Sequence, residues 1–234
     1  MSLICKQLFE HDSSTFTYLL ADSVTREAAI IDAVDSMIER DIALIQELEL
    51  DLKFIIETHI HADHITSACP LKKTFPLAKI VIGIENTDAE ACADIMVGEG
   101  HILPIGEHEI AAIETPGHTP GCMSYLVDDK VFTGDALFIR STGRCDFQGG
   151  SASTLYHSIH KLFRLPDSTL VYPAHDYNGF TVSTIGEEKE FNSLIRLDFD
   201  EQTFVKKVDN LNLEPPKKIK TAVPANHSCG LIKN

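Results

Sequence analysis

One short stretch constrains this chain more than any other. Thr58-His59-Ile60-His61-Ala62-Asp63-His64 places three imidazoles and a carboxylate within six residues, directly after the apolar run Phe54-Ile55-Ile56. Desolvating four such groups with nothing to bind is costly, whereas neutral imidazole nitrogens and carboxylate oxygens are the ligands of zinc and of non-haem iron. The same grammar recurs downstream: His118 ends Glu114-Thr-Pro-Gly-His, Asp135 ends Val131-Phe-Thr-Gly-Asp, and His175 ends Leu170-Val-Tyr-Pro-Ala-His. Each closes a short hydrophobic run, so four strands are expected to deliver ligands to one rim of a sheet, where α/β architectures gather their sites. A lone histidine after a strand is usually a loop or core residue. Four ligand-type residues in one grammar point to metal.

The length of 234 residues suits one domain over residues 1–234, with enough chain for a substantial core. No apolar run approaches the roughly 18 residues of a membrane span, and Met1-Ser2-Leu3-Ile4-Cys5-Lys6 lacks the charged and apolar regions of a signal peptide. The expectation is a protein of a cytoplasm-like compartment; a matrix protein whose presequence had been removed would look the same. Lys and Arg total 20 against 35 Asp and Glu, giving −15, which argues against nucleic acid as a partner. Cys5, Cys69, Cys92, Cys122, Cys145 and Cys229 form no CxxC pair and read as reduced thiols.

Thr15-Phe-Thr-Tyr-Leu-Leu and Ala28-Ala-Ile-Ile-Asp alternate around a turn at Asp22–Thr25 and predict an antiparallel hairpin. Ile38, Ile42, Ile45 and Leu48 recur at helical spacing behind a cap at Asp35 or Ser36. Strands are expected at 53–57, 79–84, 109–114, 122–127, 130–133 and 169–172. Helices are expected at 62–74, at 87–97, after a cap at Ser153, and through most of 187–213 up to Pro215-Pro216. The order suits two sheets packed face to face with helices outside.

Together THIHADH, TPGHTPG, FTGD and YPAH, between residues 58 and 175, resemble the metallo-β-lactamase superfamily. That resemblance implies an α+β fold, a four-layer αββα sandwich of two mixed sheets with the metal site at one edge. The longer stretches GDALFIR (134–140), GRCDFQG (143–149), HDYNGFTVST (175–184) and VPANHSCG (223–230) look like the persulfide dioxygenases of the ethylmalonic encephalopathy protein type. By that resemblance the chain oxidises glutathione persulfide with O2 and water to sulfite and glutathione, using one Fe(2+) per chain held by His59, His118 and Asp135. A homodimer is compatible with this reading.

Two imidazoles and one carboxylate leave three positions of an octahedral ferrous ion open, enough for a substrate sulfur and O2 together. His61, Asp63, His64 and His175 complete the ligand set of a two-metal site, so they are either outer groups that orient ligands or holders of a second metal. On the substrate side the resemblance offers Tyr177, as a catalytic phenol aimed at an iron-bound ligand. Arg144 either binds a substrate carboxylate or pairs with Asp146. The family also places an arginine after the HDYNGFTVST stretch, but in Asn192-Ser-Leu-Ile-Arg196 the spacing departs from its pattern, so Arg196 is a substrate candidate by analogy only. Cys229 reads as a buried small hydrophobe or a redox-sensitive thiol.

The main rival is a zinc thioesterase of the glyoxalase II type, which shares all these ligands. Against it, only 59 residues follow His175, little room for the helical glutathione-binding domain of that family. A binding-only sensor would need an output module. The diiron domain of an electron-transfer flavoprotein expects Glu where His61 stands.

Overall fold

The computed structural model describes residues 2–231. Its first sheet runs β1 (Leu3–Glu10), β2 (Thr15–Asp22), β3 (Glu27–Ile31), β4 (Asp51–Ile56), β5 (Lys79–Gly83) and β6 (Ile95–Val97) in sequence order. Its first three strands pair antiparallel and the rest parallel. The second sheet is built from β7 (Ile102–Ile105), β8 (His108–Glu114), β9 (Met123–Val127), β10 (Lys130–Gly134), β13 (Leu170–Pro173) and β14 (Ser183–Thr184), in the order β14-β13-β10-β9-β8-β7. Only β10 and β13 are parallel neighbours there, so both sheets are mixed. A small hairpin of β11 (Leu137–Phe138) and β12 (Ser141–Thr142) follows β10 in the chain.

The period-two alternation of strands explains the layering. In β2, Tyr18 and Leu20 join Phe132, Tyr125 and Ile110 in an apolar layer between the sheets. Leu19 and Ala21 point the other way, onto α1 (Ile38–Glu47) and α2 (Ala68–Thr74), where Ile45, Ala68 and Leu71 cover the first sheet. A third cluster joins Val131 and Val171 to α3 (Ala152–Leu162), α4 (Ile185–Phe191) and α5 (Glu201–Asp209) through Leu155, Ile159, Ile185 and Phe204. Three apolar layers separating helix, sheet, sheet and helix make the expected αββα sandwich. At roughly 1.5–3 kcal/mol for each large side chain fully buried, these layers are its main favourable term.

The hairpin, α1 and the six expected strands form within a residue or two of expectation, whereas several helices differ. The segment expected as one helix over 62–74 is helical only from Ala68, because Ala62–Ser67 must run irregularly to turn Asp63 and His64 toward the site. Over 87–97 a single 3-10 turn gives way to β6, where Ile95 and Val97 suit a strand. The 187–213 helix breaks at Asn192, whose side-chain oxygen accepts from the amides of Leu194 and Ile195, and residues 211–216 carry no regular secondary structure. Ser151, not Ser153, caps α3 by accepting from the amide of Thr154. Strands β1 and β7 and helix α6 (Ile219–Asn226), which contains Pro224, were not anticipated.

The cysteines also depart from expectation. Cys92 and Cys229, 137 residues apart, form a disulfide, while Cys5, Cys69, Cys122 and Cys145 are free. Only the fold brings this pair together, by laying the segment after α6 against the loop before β6.

Candidate metal centre and its cavity

All four ligand-bearing segments emerge from adjacent strand ends on one edge of the sandwich. Thr58–His64 follows β4, Thr115–His118 follows β8, Asp135 follows β10, and Ala174–His175 follows β13. The edge is held closed across the sheets by Phe16 N donating to Ala174 O at 2.7 Å and Tyr18 Oη to Pro173 O at 2.6 Å. Gly134 is required just before Asp135: its φ is +52°, and a Cβ there would lie 2.7 Å from the Thr58 side chain.

One ligand atom from each of His59, His118 and Asp135 lies within 4.8 Å of the other two. The imidazoles are oriented by their far nitrogens. His118 Nδ1 is 2.6 Å from the carbonyl of Arg144, which can only accept, so Nδ1 carries the proton and Nε2 is free for a metal. His59 Nδ1 is 3.0 Å from Thr58 Oγ1, whose own proton goes to Asp32 Oδ2 at 2.8 Å. The hydroxyl therefore accepts, and His59 also presents Nε2. Burial lowers the pKa of His59 well below its usual value, which favours the neutral form that coordinates. Asp135 Oδ1 is buried with no hydrogen-bond partner among the described residues, a cost that a cation would remove. The donor set fits a ferrous ion with open positions.

The remaining candidates surround this trio. His175 Nε2 lies 3.4 Å from Asp135 Oδ1 and 3.6 Å from Asp63 Oδ2, and its Nδ1 donates to Ser14 O at 3.1 Å. His61, Asp63 and His64 form a second group within 4.8 Å. His61 Nε2 faces Asp32 Oδ1 at 3.1 Å and Glu57 Oε2 at 3.4 Å. Burial opposes a charge on His61, but these two carboxylates outweigh it and raise its pKa well above the usual value.

Sequence reasoning missed three residues. Asp32 is fully buried and accepts from both the amide and the hydroxyl of Thr58, fixing the start of the histidine segment. Glu57 is the second carboxylate beside His61. Asn226, at the end of α6, donates to the carbonyls of His61 and His64 at 2.9 Å each and accepts from the amide of Thr66 at 3.0 Å. The only available signal was an Asx residue in VPANHSCG, which names no partner.

Above the trio opens a cavity of about 470 Å³, walled largely by apolar groups including Phe138, Ile139, Phe147 and Leu213. Tyr177 stands at its rim, exposed, with its ring stacked 5.9 Å from that of His175. Arg144 lines the cavity, and its guanidinium grips Asp146 through two 2.6 Å bonds, the pairing that was one of its two expected roles. Arg196 does not line the cavity. It lies in the loop between α4 and α5, paired with Asp198 at 3.1 Å and stacked over Phe199, because the irregular turn at Asn192 carries it to the surface. The substrate role offered by analogy for Arg196 finds no support in this placement.

Comparison with known proteins accords with this architecture. Residues 12–175 match the family model described as the metallo-beta-lactamase superfamily. The chain is 47% identical to persulfide dioxygenase ETHE1, mitochondrial, of Mus musculus, and equally to that of Homo sapiens, over 98% of this chain and 89% of each relative. The crystal structure of ETHE1 from Myxococcus xanthus superposes with a TM-score of 0.93 at 45% identity, covering 97% of this chain and 100% of that one. By fold, ligand segments and near full-length similarity, the chain belongs to the metallo-β-lactamase superfamily and, within it, to the family of the persulfide dioxygenases.

Proposed function

We propose that the chain oxidises the persulfide of a low-molecular-mass thiol, glutathione persulfide first, with one ferrous iron held by His59, His118 and Asp135. The reaction balances as RSSH + O2 + H2O giving RSH, sulfite and two protons. The observation that carries the reading is the two-histidine, one-carboxylate group, of which His118 and Asp135 line a largely apolar cavity with His59 buried beside them. The iron would supply open positions for the substrate sulfur and for O2.

The protein's own part is positioning and enclosure. Thr58 and the Arg144 carbonyl hold the two imidazoles in the tautomer that presents Nε2. Phe138, Ile139 and Phe147 keep the reacting sulfur in a largely dry space, where it meets little competing water. Tyr177 at the rim and the buried His175 stacked against it are the groups placed to exchange protons with the substrate and the departing sulfite.

A second reading is favoured by one observation, the group of His61, Asp63 and His64 within 4.8 Å, which could hold a further metal for thioester hydrolysis. Anaerobic purification with iron analysis, followed by O2 uptake, separates the two. About one iron per chain and persulfide-dependent uptake, absent with reduced glutathione, are expected. Rapid hydrolysis of S-lactoylglutathione without O2 uptake would establish the thioesterase instead.

A further inference from the structure

The carrier of the persulfide must lie along the cavity, and among the described residues that line it Arg144 is the only lysine or arginine. Asp63, Asp135, Asp176 and Glu214 line the same space. Arg144 is committed elsewhere. Its Nε and Nη2 donate to Asp146 at 2.6 Å each, Nη1 to Glu214 O at 2.7 Å, and Nη2 again to Leu213 O at 3.1 Å. One N–H of the five remains, too few for the two-point grip on a carboxylate that makes arginine a substrate anchor.

The two carbonyls belong to the irregular segment after α5. Leu211, Leu213, Glu214 and Pro216 form one wall of the cavity. Apart from local bonds at its two ends, Asn212 Nδ2 to Asn210 O and Ile219 N to Pro216 O, the described hydrogen bonds of residues 212–216 all come from Arg144. The guanidinium also packs on the Phe147 ring at 5.1 Å, and the Arg144 carbonyl orients His118 at 2.6 Å.

We infer that Arg144 is a positioning residue that pins the 211–216 segment as a wall of the cavity, with Asp146 holding the pin, and that the cavity selects its carrier by shape. The inference rests on the persulfide reading. The carrier's carboxylates stay in solvent, so the accepted substrates are persulfides of small thiols whether or not they carry negative charge.

The test compares glutathione persulfide with the persulfide of glutathione diethyl ester on wild type, Arg144→Gln and Asp146→Asn. Both variants should raise KM roughly 10-fold for both substrates, the loss expected for charge-assisted bonds, with kcat and iron content nearly unchanged. Arg144→Lys should recover only part of the loss, since a point charge cannot serve two carbonyls and a carboxylate together. In the metal-free protein, hydrogen exchange at the amides of residues 211–214 should quicken in Arg144→Gln. A KM rise confined to the charged substrate would make Arg144 a carboxylate anchor and overturn the inference, as would unchanged exchange at the amides of residues 211–214. Absence of O2 uptake by wild type with either persulfide would instead sink the persulfide reading, leaving the exchange experiment to judge the pin alone.

Discussion

Replacing Asn226 with Ala is the sharpest probe of how the C-terminal helix supports the centre. The side chain is buried and makes three hydrogen bonds to the backbone of residues 61, 64 and 66, all of them buried. Each bond is worth about 1 kcal/mol net, and each buried partner left without one adds to the cost, so we expect a loss of about 3–5 kcal/mol. That is a large share of the roughly 5–15 kcal/mol that holds a domain folded. Denaturant unfolding of the metal-free protein measures it as a fall in midpoint at constant slope. Asn226→Asp keeps the acceptor for Thr66 but loses both donors and sets a charge beside two carbonyls, so it should be no better than Ala. The two donors hold the carbonyls of residues 61 and 64, in the segment that begins at the proposed ligand His59, so metal retention should fall too. A loss below about 1 kcal/mol with an unchanged slope would refute the clamp, since three buried bonds cannot vanish so cheaply.

Three further outcomes are expected. His118→Ala should weaken iron binding by more than the roughly 10- to 100-fold that loss of an outer partner costs, and Thr58→Val, which removes the acceptor for His59, should fall within that range; both are read by equilibrium metal titration. Reducing the Cys92–Cys229 bond, which closes a loop of 137 residues, should lower stability by at most about 5 kcal/mol, and Cys92→Ser should make the midpoint insensitive to reductant; six titratable thiols in the unreduced native chain would contradict it. The amides of Glu107, Thr25 and Val24 donate to Asp22 and hold its carboxyl down at about 2. Its stabilising effect is thus present above the unfolded value of about 3.9 and is lost as pH falls toward 2. Asp22→Asn should lower the midpoint at pH 7 and flatten its fall between pH 4 and 2, as equilibrium unfolding across that range will show.

What was legible in the sequence follows from the range of each interaction. Alternation and helical spacing are local, so β2, β3 and α1 could be read within a residue or two. The four ligand segments were legible because each carries its own apolar run and its own terminal ligand. Asp32 escaped notice because its meaning depends on Thr58, 26 residues away, and a lone acid after a strand carries no signature. Asn226 meets His61 across 165 residues, and Cys92 meets Cys229 across 137. The false helix over 62–67 came from composition, where the backbone instead follows the demands of the site. At Arg144 the sequence offered two partners, a substrate carboxylate and Asp146. The nearby acid is already in place when the chain folds, whereas a substrate must displace it.

The histidines divide by what holds them. His59 is buried against a neutral hydroxyl and its pKa is lowered by that burial, so it stays in the form that binds metal. His61 and His175 are buried too, yet each faces two carboxylates, Asp32 with Glu57 and Asp135 with Asp63, and in both the pKa is raised against the pull of burial. A histidine that readily takes a proton competes poorly for a cation, because the metal must displace that proton. The chain thus carries the ligand-type residues of a two-metal site, yet His61 sits between Asp32 and Glu57, neither of which belongs to the proposed iron set. That placement accords with the proposed set of His59, His118 and Asp135.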